Sequence, residues 1–202
     1  MIWYETMSLN EELNKLFANT REHAPYFAIG DKDRANRWNS EIREFSEVYE
    51  RSPLLRGIVG KWEEIKSVNQ RGRNSEKSDP PDVEVIKRDG QRFGIEVTEF
   101  VNCKSIRSGE KGIAELPCEW TEDLFRATML ERISRKDTGW PEFFDCRILL
   151  LLCDELELRL EDCRGYVSNL QIRVRHFDIV LLVFSPLPGL EELPVLSIKK
   201  PA

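Results

Sequence analysis

Histidine is nearly missing from this chain: there are two, His23 and His176, each alone in its segment. No Ser/His/Asp or Cys/His constellation can be assembled from them without assuming a fold. The five cysteines, Cys103, Cys118, Cys146, Cys153 and Cys163, are 15, 28, 7 and 10 residues apart. None of these spacings is the C-x-x-C of a zinc or redox site, so reduced core thiols are expected. Long apolar runs are missing too. The longest uncharged one, "ILLLLC" at 148–153, is far short of a bilayer span and reads as a buried strand. The N-terminal "MIWYETMSLNEELNKLF" has no positive region ahead of an uninterrupted apolar run, so a secretory signal is not expected and a cytoplasmic protein without a membrane segment is. There is no surplus of positive charge: 30 Lys and Arg stand against 36 Asp and Glu, a net −6. Any nucleic-acid binding would therefore need a local patch. "RGIVGK" has two glycines and a lysine but not the spacing of a phosphate-binding loop. No internal repeat or low-complexity segment occurs.

What remains is 202 residues of 41% apolar and 33% charged composition, enough for one ordinary domain or a core with a helical extension. The first third has helical periodicity. Ser8 and Glu11 form the reciprocal capping arrangement of a helix start, followed by a stripe of Leu9, Leu13, Leu16 and Phe17. A second helix is predicted from about Arg34 to Arg51, and Pro53 opens a third through "PLLRGIVGKWEEIKSV". Residues 69–79 hold no large apolar side chain and read as a linker. The predicted division is thus a helical region over 1–68, a linker over 69–79, and an α/β core over 80–202.

Within that core, Thr121 caps a helix predicted to reach Lys136. Glu122 and Asp123 suit its positive end, and Arg132, Arg135 and Lys136 its negative end. "CRILLLLC" at 146–153 and "FDIVLLVF" at 177–184 are the continuous runs of strands covered on both faces. The helix-like "LEDCRGYVSNLQIRVR" between them predicts a parallel crossover, and "LPVLSIKK" predicts a short edge strand.

The stretch "SDPPDVEVIKRDGQRFGIEVTEF" at 78–100 is unlike scaffold. It reads as a hairpin with Gly90 in the turn. A three-residue loop over Asp89–Gln91, pairing Val83 with Val97 and Val85 with Ile95, keeps Val83, Val85, Phe93, Ile95 and Val97 on one face. Asp82, Glu84, Glu96 and Thr98 then share the other, with Asp82 across from Thr98 and next to Glu96. Clustered carboxylates raise one another's pKa unless a cation sits among them, and hard oxygens suit magnesium or manganese.

"PPD" at 80–82 followed by "GIEVTE" at 94–99 resembles, in diverged form, the PD-(D/E)xK or restriction-endonuclease-like nuclease superfamily. The resemblance covers some twenty residues in detail. It implies a mixed sheet flanked by helices, with a helical N-terminal extension. It also implies magnesium-dependent hydrolysis of phosphodiesters in DNA or RNA. The family's metal-binding Asp and Glu fall on Asp82 and Glu96, and its lysine position falls on Thr98. A hydroxyl there can hold a water but supplies no positive charge, so a lysine from another element is implied: Lys136 first, Lys104 second. The family's glutamate on the first core helix would match Glu64 before Glu63. A strand ahead of the one that starts at the Asp is common in the family, and the sequence before Asp82 offers no good candidate.

Blander readings stand beside these. Asp82 could be a strand-start residue turned by Pro80 and Pro81, Glu96 an edge-strand carboxylate paired with Arg92 or Lys87, and Lys136 an ordinary cation at a helix end. Lys61, Lys66, Arg71, Arg73 and Lys77 form a basic set able to hold a phosphate backbone, or a solvated linker. The alternatives to a nuclease are a catalytically inactive binding or interaction module of the same fold, and an unrelated α/β protein. The sequence leaves the oligomeric state open, a homodimer included.

Overall fold

The computed structural model describes residues 44–70, 81–101, 119–153, 155, 157–184 and 191–199. The predicted Ser8 cap and first helix lie outside the described residues, as do Pro80, Lys104, Arg71, Arg73 and Lys77.

The described chain is α/β, with a six-stranded mixed sheet flanked by helices. Its strands are β1 (Ile65–Gln70), β2 (Val83–Lys87), β3 (Arg92–Glu99), β4 (Cys146–Cys153), β5 (Ile179–Phe184) and β6 (Val195–Lys199). They lie in the sheet in chain order. β1, β2 and β3 form an antiparallel meander, β4 and β5 continue parallel to β3, and β6 closes the sheet antiparallel to β5. The helices are α1 (Pro53–Val59), α2 (Glu122–Lys136) and α3 (Leu160–Ser168), and residues 44–51 are also helical. None of the described helices is long and apolar enough to cross a membrane.

Both faces of the sheet are covered. Val83, Val85, Phe93, Ile95 and Val97 join Ile148, Leu150, Leu181 and Val183 in one apolar layer with Phe45, Val48, Tyr49, Leu55 and Val59. Leu149, Leu151, Val180 and Leu182 point the other way, into a layer built by Phe125, Met129 and Ile133 of α2, Trp140, Phe144 and Phe177. Ile148 through Leu151 are fully buried, as uninterrupted apolar strands must be when helices lie on both sides. Each such side chain removed from water stabilises the fold by roughly 1.5–3 kcal/mol.

α2 starts where its cap predicts: the Thr121 hydroxyl accepts from Leu124 N at 3.2 Å. Two expectations change upstream of it. The third helix stops at Val59, because Gly60 takes a positive φ of 102° and ends it. The next residues make a short 3-10 turn, Trp62–Glu64, and then β1. β1 is a polar edge strand without clean alternation and is bulged between Ile65 and Ser67, so its sequence hid it. The sheet therefore begins at Ile65, ahead of the predicted linker.

The hairpin register also differs. Val83 pairs with Ile95 and Val85 with Phe93, a shift of two residues from the predicted pairing. The loop is Arg88–Gly90, closed by Lys87 N to Gln91 O at 2.9 Å. In a three-residue hairpin the last loop position needs a left-handed backbone, and Gly90 fills it with φ 95°. A shift by two leaves every side chain on its predicted face, so the division into apolar and acidic faces holds.

Candidate active site

Asp82 directly precedes β2, and the observed register carried one residue further sets it beside Glu96 rather than Thr98. Its carboxylate is anchored: Oδ2 accepts from Val97 N at 2.9 Å. This gives the strand-start aspartate a task beyond turning the chain, since it satisfies a main-chain donor of β3 where the β2 pairing ends.

Glu96 lies in the middle of β3, opposite Leu149 of β4, with only 8% of its side chain exposed. A carboxylate so enclosed needs a partner. The expected partners Arg92 and Lys87 are both engaged elsewhere. Arg92 binds the buried Glu84, with its guanidinium over the Phe143 ring at 4.5 Å, and Lys87 binds Glu64 at 3.0 Å. Glu96 is instead met by the Lys136 ammonium, which donates to Oε1. Burial pushes the Glu96 carboxyl upward from its ordinary 4.5, and the Asp82 carboxylate pushes it further. The Lys136 ammonium and the Asp82 backbone amide pull it back, leaving it at about 7. The lysine thus offsets only part of what burial and the Asp82 charge do.

Lys136 reaches the site because it is the last residue of α2, the helix that covers this face of the sheet. Met129 and Ile133 fix the helix to the sheet, and Lys136 continues their stripe one turn on. On the same helix, Arg132 Nη2 donates to Val101 O at 3.0 Å, tying α2 to the chain just beyond β3.

The remaining predicted residues separate. Thr98 is half-buried on the same face as Glu96, one strand-pitch further along and opposite Leu151. Glu64 does not join: it is exposed on the 3-10 turn, its backbone oxygen accepts from Arg88 N at 2.8 Å, and it pairs with Lys87. Because Ile65 pairs with Lys87 and Glu64 stands opposite Arg88 at the hairpin end of β2, Glu64 lies about 20 Å along the strand from Asp82. Glu63 accompanies it there, its backbone oxygen held by Arg88 Nε at 2.8 Å. Of the basic set, Lys61 and Lys66 are described and exposed, and Lys66 lines a surface groove of about 480 Å³ with Trp62 and Arg88.

The donor chemistry allows a test of the metal expectation. Among the described residues no group of three or more His, Cys, Asp or Glu is arranged to hold an ion. Magnesium is commonly held by one or two carboxylates and retains several waters. Asp82 and Glu96 supply two carboxylates on one face of the sheet, and Lys136 holds one oxygen of Glu96.

Sequence reasoning missed two contributors, Gly94 and Trp140, which pack on each other beside Glu96. The signal was available: a glycine inside a strand marks a close approach by another group. Comparison of the chain with protein-family models, with curated proteins and with solved structures found no match.

Proposed function

We propose that this chain is a metal-dependent phosphodiester hydrolase acting on DNA or RNA, built on a restriction-endonuclease-like core. The observation that carries the reading is the meeting of Asp82, Glu96 and Lys136 on one sheet face, from three separate elements. Two further observations support the reading: β1 precedes the strand that starts at Asp82, and Lys136 of α2 meets Glu96, where it would stand in for the lysine missing at Thr98.

In this reading Asp82 and Glu96 would hold magnesium or manganese. The bound ion would neutralise charge developing on the phosphate and acidify a water. Asp82 is kept in place by Val97 N, so its carboxylate needs little ordering before use. Lys136 holds one oxygen of Glu96 and supplies the positive charge that Thr98 cannot, next to where a scissile phosphate would lie. Thr98 offers a hydroxyl on the same face to hold a water. Lys66 and Arg88, with the indole of Trp62, offer a more distant contact for a phosphate backbone and a base.

The test is incubation of purified protein with plasmid and single-stranded substrates in magnesium, manganese or chelator, alongside Asp82→Asn and Glu96→Gln. Metal-dependent cutting that both variants lose supports the reading. Metal-independent binding without cutting would replace it with an inactive binding module of the same shape.

A further inference from the structure

Trp140 is hydrogen-bonded to the backbone of the residue whose ammonium holds Glu96. It follows α2 by four residues, and its indole Nε1 donates to the backbone oxygen of Lys136 at 3.1 Å. Carbonyls in the last turn of a helix have no partner within the helix, and such ends fray unless something holds them. Here the holder is an indole from the sheet side.

The indole can lie there only because position 94 has no side chain. A Cβ at Gly94 would come 2.7 Å from Trp140 Cζ3 and 3.1 Å from the Phe144 ring. Gly94 is two residues before Glu96 on the same face of β3, so the ring is seated on the strand that carries the carboxylate. Phe177 also packs on the indole, with ring centroids 4.9 Å apart and the planes inclined at 70°. The next residue after the helix is clamped as well: the Asp137 carboxylate accepts from Arg175 N at 2.8 Å and His176 N at 2.6 Å.

We propose that Trp140, seated on Gly94, is a positioning residue that fixes the end of α2 so that the Lys136 ammonium stays on Glu96. A lysine head sits on a flexible four-carbon stem. At a frayed helix end both the stem and its origin would wander. Tying the Lys136 carbonyl to a ring that rests two residues from Glu96 removes the second of these freedoms and references the lysine to the very strand it must reach. If Trp140 only filled space, its packing would matter and its N–H would not. The kinetic consequence of this role rests on the proposed hydrolase reading; the structural consequence does not.

The experiment uses the full chain with Trp140→Phe, Lys136→Met and the double variant. Phenylalanine keeps a ring against Phe144 and Phe177 and removes the N–H donor. The ammonium resonance of Lys136 is followed by proton–nitrogen NMR, assigned by its loss in Lys136→Met, and magnesium-dependent cleavage is measured in parallel. Trp140→Phe is expected to broaden or shift that resonance toward a free lysine and to lower kcat about tenfold with KM little changed. In the Lys136→Met background the same substitution should lower cleavage no further. An unchanged ammonium resonance in Trp140→Phe would overturn the proposal, as would losses in the double variant that multiply as if independent. If no protein in the set cuts, the hydrolase reading falls and the resonance alone decides the positioning role. Should Trp140→Phe not fold, Gly94→Ala displaces the intact indole and is read by the same two outcomes.

Discussion

Lys136 and Glu96 stand forty residues apart in sequence and form a hydrogen-bonded ion pair in the fold, on the face of the sheet where Asp82 also arrives. The pair is unequal. Glu96 is enclosed, whereas nearly a third of the lysine side chain reaches solvent. The carboxylate therefore carries most of the desolvation, and burial, ahead of the Asp82 charge, is what raises its pKa.

That imbalance makes stability depend on pH in a definite direction. The Glu96 carboxyl titrates at about 7 in the folded chain against 4.5 ordinarily, so between these values the folded state binds more protons than the unfolded one. Stability contributed by this group is greatest below 4.5, falls as pH rises and levels off above about 7. The full change is on the order of 3 kcal/mol. Glu96→Gln lacks this dependence, so its stability relative to wild type should rise across that window, as measured by urea unfolding at a series of pH values.

Lys136→Met should lower cleavage about a hundredfold, the usual effect of losing a charged group beside the reacting centre. Thr98→Val should cost less than about tenfold. On the proposed hydrolase reading, the same pair of rates tells whether Lys136 or Thr98 serves the attacking water and the phosphate. With the ammonium gone, Glu96 is left enclosed beside Asp82, and Lys136→Met should destabilise by about 1–3 kcal/mol at pH 8 and by less at pH 6, where the carboxyl takes up a proton. Cleavage assays and urea unfolding at the two pH values read both effects.

Arg92 and Glu84 form a second, structural ion pair on the same side of the hairpin, with the arginine stacked on Phe143. Glu84 is buried and Arg92 is about one third exposed. Arg92→Met should therefore cost about 2–4 kcal/mol by leaving an enclosed carboxylate, and Glu84→Gln clearly less, since the guanidinium retains water and the ring. Thermal unfolding of the two variants gives the order.

Gly90 closes the hairpin in a left-handed conformation with open space around it. Gly90→Ala should destabilise by about 1–2 kcal/mol through backbone strain alone, without altering metal uptake. Calorimetric unfolding and a metal titration on the one variant separate the two.

The interior strands β4 and β5 were legible because continuous apolar runs have few other places to go, and α2 because Thr121 and its charged ends mark both termini. The acidic face of the hairpin was legible because the alternation of Val83, Val85, Phe93, Ile95 and Val97 permits one division only. The pairing itself was not: two registers differing by two residues keep that division, and the choice lay in the backbone angle at Gly90. β1 was hidden by its polarity, since "IKSVNQ" pairs through its main chain at a sheet edge and carries little apolar pattern. Glu64 was assigned to a helix that Gly60 had already ended, so its periodicity placed it wrongly. Lys136 could be reached from sequence because a helix-terminal cation has a defined place once the helix is laid against the strands.

Uptake of manganese by the purified chain is followed by calorimetry with wild type, Asp82→Asn and Glu96→Gln. Wild-type protein should bind the ion saturably and both variants should lose that binding, with the fold intact by circular dichroism. No uptake by wild type, or equal uptake by all three proteins, would contradict metal binding by Asp82 and Glu96.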